Sequence, residues 1–174
     1  MKRSTILLLS LAMTLLLASC RKGHYLDNPG LKPGEPLPQF TVKTFDGRTM
    51  SSSAVVSKVS GGPYAILVFR TECAYCEALM TQLARVLSAG GSMSVIGLSL
   101  GDASETAALL EKTGLGGLEG TYLCNAQTVY SLAGDTLPFL FVLEDGLVRS
   151  GIHRDRLSDE RLSAMLRRPD RAQQ

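Results

Sequence analysis

The chain predicts an α/β fold, with a central mixed sheet flanked by helices and an N-terminal β-hairpin extension. Three observations carry that expectation. Short apolar, β-rich runs alternate with segments of helical period, a Cys-x-x-Cys pair directly follows one of those runs, and the C-terminal part closes with a hairpin and a helix.

The elements follow in order. Lys2 and Arg3 precede an uncharged, mostly apolar run from Ile6 to Ala18, and small residues lead to Cys20. A basic start, a short apolar stretch and small residues before a cut point describe a secretory signal peptide. The run falls short of the ~20 apolar residues that a spanning helix needs. Residues 23–38 hold four prolines, Pro29, Pro33, Pro36 and Pro38, with Gly30 and Gly34, and few apolar side chains, which reads as a tether. Phe40–Lys43 predicts a strand, Asp46-Gly47 a hairpin turn and Arg48–Met50 the returning strand. Residues 51–60 are polar and predict a short helix capped by a serine.

Tyr64–Phe69 is apolar throughout and predicts a buried strand. Cys73-Ala74-Tyr75-Cys76 comes next, and a helix is predicted over Glu77–Ala89, with Leu79, Met80, Leu83, Val86 and Leu87 on one face and Gly90-Gly91 as its stop. Met93–Leu100 predicts a second buried strand and Ser104–Lys112 a helix, with Glu105 and Lys112 placed as the helix dipole prefers. Thr121–Cys124 predicts a brief strand and Ala126–Leu132 a short helix. Pro138–Leu143, the turn Glu144-Asp145-Gly146 and Leu147–Ile152 predict a hairpin, and Arg156–Arg168 a final amphipathic helix. No internal repeat is present.

Composition narrows the function. The net charge of +2 is spread over interspersed acids and bases without a basic block, which argues against nucleic acid as a partner. After removal of the signal, the chain is large enough for a hydrophobic core without disulfide scaffolding. Its four cysteines are therefore read by position. Cys73 and Cys76 lie on a strand-to-helix turn, where unpaired N–H groups and the helix dipole favour a thiolate at Cys73. Cys76 is one turn on, close enough to close a disulfide, and so short a loop adds little as a scaffold. The pair reads as redox-active: Cys73 the nucleophile, Cys76 the resolving thiol. Cys124, ending a strand, reads as a small buried hydrophobe, with a third redox thiol as the alternative.

Leu17-Ala18-Ser19-Cys20 also resembles the bacterial lipobox, which implies lipidation of Cys20 and attachment to a membrane; an ordinary signal peptide with an incidental cysteine is the alternative. The Cys-x-x-Cys after a buried strand, the Leu137-Pro138 step that opens the hairpin, and the lead-in Pro36-Leu37-Pro38-Gln39-Phe40 … Asp46-Gly47 together resemble the thioredoxin superfamily. The likeness is to its redoxin and TlpA/ResA-type branch, extracytoplasmic thiol–disulfide oxidoreductases tethered to bacterial membranes.

The resemblance implies a disulfide between Cys73 and Cys76, a cis Pro138 that packs beside them, and a Leu137 whose backbone presents itself to substrate. It implies protein thiols and disulfides as substrates, reduced through the pair or, as the alternative, oxidised by it, with an upstream redox donor, no cofactor and no metal. The organisation expected is a lipoprotein signal peptide over 1–19, lipidated Cys20 and flexible tether over 20–34, a thioredoxin-like domain over 35–170 and a tail at 171–174. The location expected is the periplasmic side of a bacterial membrane.

Departures from the family pattern are informative. Glu72 stands where the family usually has tryptophan, and a carboxylate beside Cys73 opposes a thiolate unless Arg70 offsets it. Leu67 stands where thioredoxins place a buried acid. The dipeptide Ala74-Tyr75 lacks the common proline at two positions that tune reduction potential in this fold, and Tyr75 reads equally as a solvent-facing aromatic or as part of a substrate contact. Two other readings stay open. A peroxiredoxin-like peroxidase would normally carry threonine and proline where Arg70 and Ile66 stand. A Sco-like copper-binding protein would space its cysteines more widely and use a histidine that His153 does not clearly match.

Overall fold

The structure, a computed structural model, describes residues 30–59, 62–116, 118–153 and 158–167. The predicted signal peptide, the lipobox with Cys20, the residues before Gly30 and the tail lie outside the described residues. Seven strands form one sheet: β1 (Thr41–Lys43), β2 (Thr49–Ser51), β3 (Tyr64–Arg70), β4 (Ser94–Leu100), β5 (Gly120–Leu123), β6 (Phe139–Glu144) and β7 (Leu147–His153). Five helices flank it: α1 (Ser52–Val56), α2 (Ala74–Ser88), α3 (Ala103–Thr113), α4 (Ala126–Ala133) and α5 (Asp159–Met165).

The strand order is β2-β1-β5-β4-β3-β6-β7. The three central strands are parallel, joined by crossovers through α2 and α3, and each side is completed by an antiparallel hairpin. Position in the sheet follows apolarity. β3 is buried from Tyr64 to Phe69, pairs β4 on one side and β6 on the other, and reaches solvent only at Arg70. A strand covered on both faces needs this unbroken apolar run rather than alternation.

Side chains alternate between two cores. Ile66, Val68, Ile96, Leu98, Tyr122 and Phe141 meet Val55 of α1 and Val129 and Leu132 of α4. On the opposite face Leu67, Phe69, Val95 and Leu140 meet Leu79, Met80 and Leu83 of α2, Leu109 of α3 and Leu162 of α5. Burying a side chain such as Leu83 contributes about 1.5–3 kcal/mol by area. The exposed Lys112–Glu77 ion pair between α3 and α2, at 2.8 Å, belongs to a class that adds about 0–1 kcal/mol. Apolar packing therefore sets where the helices lie.

Caps and turns agree with the local sequence. Ser51 accepts the Ala54 N–H and caps α1, Asp102 caps α3, and Asn125 caps α4. Asp145 and Gly146, at φ 53° and 79°, turn β6 into β7, as a two-residue hairpin with the right-handed twist requires.

The lead-in is docked from Gly30 onward, whereas the sequence reads as a flexible tether to residue 34. Leu31 N–H donates to Leu132 O at 2.9 Å, Gly34 N–H to Val148 O at 2.8 Å, and Val148 N–H returns to Glu35 O at 2.9 Å. Leu31 and Leu37 also pack on the core beside α4. Backbone pairing here covers part of the outer edge of β7, which would otherwise offer unpaired amides to another chain. Gly30 makes the close approach possible: at φ 73° its Cβ would stand 2.8 Å from Ala133 C and Leu132 O, whereas Gly34, at φ 87°, has open space around it.

Replacing Gly30 by alanine is expected to cost at least about 1 kcal/mol. Gly34→Ala carries the conformational strain without the clash and should cost less. Urea unfolding of the two variants checks this, and equal losses would show that the docking of Gly30 on α4 contributes nothing.

Candidate functional site

The site is built where β3 ends. The chain leaves the buried sheet at Arg70, turns through Thr71 and Glu72, and enters α2 with Cys73 as its N-cap. The helix thus begins three residues earlier than its apolar periodicity indicates, because a cysteine sulfur takes the place of the usual capping oxygen. Cys73 Sγ accepts the backbone N–H of Cys76 at 3.1 Å, and Glu77 N–H donates to Cys73 O at 3.0 Å. One orphan amide of the first turn is thereby satisfied by the sulfur itself.

The turn is braced from the next crossover. Thr71 Oγ1 donates to Glu105 Oε2 at 2.9 Å, and Glu105 is held in turn by its own N–H on Asp102 Oδ1 at 2.8 Å. Cys73 N–H donates to Thr71 O at 3.1 Å. Gly101 packs against Thr71 so closely that a Cβ there would stand 2.6 Å from Thr71 Cγ2.

The two sulfurs have different surroundings. Cys73 is half-buried and Cys76 fully buried, and both are free thiols. Burial pushes the Cys76 thiol up to about 12, and the Cys73 sulfur beside it adds to that, against an opposing pull from the Arg70 backbone and charge. Leu67, at the position of the buried acid in thioredoxins, is fully buried in the same apolar core as Cys76. Below the cysteines the floor is hydrocarbon, so the proton of Cys76 must leave towards the cleft.

That cleft, about 390 Å³, lies over Cys73. Arg70, Glu72, Ala74 and Tyr75 line it from the turn, and Asp135, Thr136 and Leu137 face them from the segment before β6. The Leu137-Pro138 peptide is cis and Pro138 is buried. Leu137 touches both cores, so it sits at the sheet end where the two faces meet. The structure therefore brings Cys73, Cys76, Arg70, Glu72, Tyr75, Leu137 and Pro138 to one end of the sheet. Asp135 and Thr136 were not distinguishable in sequence, where they are two polar residues in a loop; only their place before Leu137-Pro138 could have pointed to them.

Cys124 stands apart. It follows β5, two strands from β3, and packs on the core of the opposite face from Cys76. Two strand spacings are about 9.6 Å, beyond the roughly 7 Å Cα separation that a disulfide tolerates. Its sulfur donates to Ser99 O at 3.3 Å, and burial pushes its thiol up to about 12. His153 is stacked on Phe139, with ring centroids 4.2 Å apart, on that same opposite face. It does not share a site with the cysteine pair, and no group of three metal-binding side chains occurs among the described residues.

Comparison with known proteins places the fold. No family model matches the chain, and no curated protein matches it. Among solved structures it is similar to a secreted Mycobacterium tuberculosis disulfide oxidoreductase homologous to Escherichia coli DsbE. The TM-score is 0.57 at 17% identity, over 74% of this chain and 94% of that one. A thiol:disulfide interchange protein of the thioredoxin family from Chlorobium tepidum gives a TM-score of 0.57 at 19% identity, over 78% and 97%. Peroxidoxin BcpB from M. tuberculosis gives 0.58 at 17% identity, over 78% and 96%. The chain thus has the thioredoxin fold, shared by disulfide oxidoreductases and peroxidoxins alike.

Two outcomes follow from the buried thiols. Iodoacetamide at pH 8 should alkylate the half-buried Cys73 of the reduced protein well before Cys76, as read by peptide mass spectrometry; equal labelling of the two would contradict the burial of Cys76. Cys76 and Cys124 have folded values raised from 9.0 to about 12. Above pH 9 the unfolded chain therefore loses protons that the folded one keeps. The stability they contribute is full below about pH 9 and is lost as pH rises towards 12, at up to about 1.4 kcal/mol per pH unit for each thiol. Urea unfolding between pH 8 and 10.5 should show a shallower loss in Cys124→Ala than in the parent; parallel curves would contradict the assignment.

Proposed function

We propose that this chain is an extracytoplasmic thiol–disulfide oxidoreductase that reduces protein disulfides, held at a membrane by a lipid on Cys20. The observation that carries the reading is the asymmetric pair: a half-buried Cys73 sulfur that caps α2 and opens into a cleft, with Cys76 buried one turn behind it. Cys73 attacks one sulfur of a substrate disulfide, which forms a mixed disulfide and expels the other sulfur as a thiol. Cys76 then attacks the Cys73 sulfur, so the Cys73–Cys76 bond forms as the second substrate thiol leaves. Two electrons pass from protein to substrate, and a redox donor restores the dithiol.

Burial that pushes the Cys76 thiol up makes it a poor leaving group, which supports reduction of substrate disulfides as the direction. Leu137, across the cleft from Cys73 with the buried Pro138 next to it in the chain, offers a surface against which an extended substrate segment would lie. The compartment rests on the basic and apolar start of the chain and on the lipobox-like Leu17-Ala18-Ser19-Cys20. Among the described residues no helix is long and apolar enough to cross a membrane, and the anchor proposed is the lipid. A domain over 35–170, preceded by this anchor, is the corresponding organisation.

Cys76→Ser in the full chain removes the resolving sulfur and should accumulate mixed disulfides with other proteins on non-reducing gels, dissolved by dithiothreitol. Cys73→Ser should accumulate none. The reading fails if Cys76→Ser traps nothing, or if the parent consumes hydrogen peroxide far faster than a free thiol, which would make it a peroxidase.

A further inference from the structure

The mouth of the cleft carries charge as well as sulfur. Glu72 sits on the turn immediately before Cys73, and Asp135 lies on the facing segment, so carboxylates flank the nucleophile from both walls. Both residues are exposed, and Arg70 is the third charged residue of the lining. The Arg70 charge acts on the cysteine pair, where it opposes the rise at Cys76. An incoming substrate therefore meets two carboxylates and one guanidinium around the sulfur it must approach, a mouth with a net negative charge.

Tyr75 adds to this. It is 59% exposed, the most open of the large hydrophobic side chains described, and it lines the same cleft. An aromatic face beside two carboxylates suits a lysine or arginine side chain, which gains cation–π and ionic contacts together. It suits an anion less, since Arg70 is the one cation of the lining against two carboxylic residues.

Resting on the redox reading above, the geometry points to a substrate preference: Glu72, Asp135 and Tyr75 select disulfides flanked by cationic groups and disfavour anionic disulfides such as oxidised glutathione. The chemistry is that of the proposed exchange, in which Cys73 takes one substrate sulfur, Cys76 displaces it, and two substrate thiols leave as the protein disulfide forms. The charges act on encounter and orientation, so they change the rate with each substrate and not the stoichiometry.

The test uses the reduced full chain and three small disulfides: cystamine, a dication; 2-hydroxyethyl disulfide, neutral; and oxidised glutathione, an anion. The rate of Cys73–Cys76 disulfide formation is measured with each at low ionic strength and divided by the rate of the same disulfide with dithiothreitol, which removes intrinsic reactivity. Exposed charge pairs change such rates by a few-fold each. The expected order is cystamine, then 2-hydroxyethyl disulfide, then oxidised glutathione. The cystamine-to-glutathione ratio should fall about fivefold in the Glu72→Gln, Asp135→Asn double variant, and also in the parent at 0.5 M salt. The neutral disulfide corrects each variant for any change in the reactivity of Cys73.

An unchanged ratio in the double variant, with 2-hydroxyethyl disulfide still reduced, overturns the preference and leaves the oxidoreductase reading standing. Failure of all three disulfides to oxidise the pair overturns both.

Discussion

The hydrogen bond from the Cys76 amide to the Cys73 sulfur is the interaction on which the rest of the site depends. It makes one atom both the cap of α2 and the proposed chemical centre, so helix and proposed nucleophile are positioned by the same contact. That contact needs β3 to end where it does. Six buried apolar residues hold the strand in the middle of the sheet, Arg70 brings it to the surface, and Thr71, fixed on Glu105 and pressed by Gly101, leaves the turn little choice of path. Hydrophobic burial places the turn, hydrogen bonds give it its shape, and the sulfur completes it.

From this follows the division of labour between the two cysteines. The N-terminal sulfur faces a cleft, while the second is carried inward by the first turn of the helix into a core that includes Leu67, Phe69 and Leu79. A charged thiolate is costly in hydrocarbon, so Cys76 keeps its proton until the cleft receives it. With Leu67 apolar and buried beneath the pair, the carboxylic residues that line the cleft are Glu72 and Asp135. The site is thereby opened to control by whatever occupies the cleft, substrate included.

Much of this was legible in the sequence where local chemistry and tertiary role agree. The unbroken Tyr64–Phe69 run could only be a strand covered on both faces, and the Asp145-Gly146 pair could only be a tight turn. The Cys73/Cys76 pair announced a strand-to-helix site, and Leu137-Pro138 marked the segment that faces it. α2 starts three residues before the helix that apolar periodicity predicts, because that periodicity begins only after the cap and cysteine is not among the residues that normally signal one. The pairing of β1 with β5 rests on a single register pair, Lys43 with Leu123, which no pattern in either segment discloses. The docking of residues 30–37 is hidden by their proline-rich composition: the backbone makes most of those contacts, and two leucines, Leu31 and Leu37, pack on the core. Asp135 escaped for the same reason that loops generally do, since its role comes from what it faces.

The redox titration of the Cys73/Cys76 couple tests the central claim most directly. The pair should interconvert as one two-electron couple, at a potential in the range of reducing thioredoxin-fold proteins, near about −270 mV and well below the roughly −120 mV of a strong oxidant. Mass spectrometry should find the bond between Cys73 and Cys76, with Cys124 outside it. A potential near −120 mV would contradict the proposed direction. A pair that forms no disulfide at any poise, or one that engages Cys124 instead, would contradict the site itself.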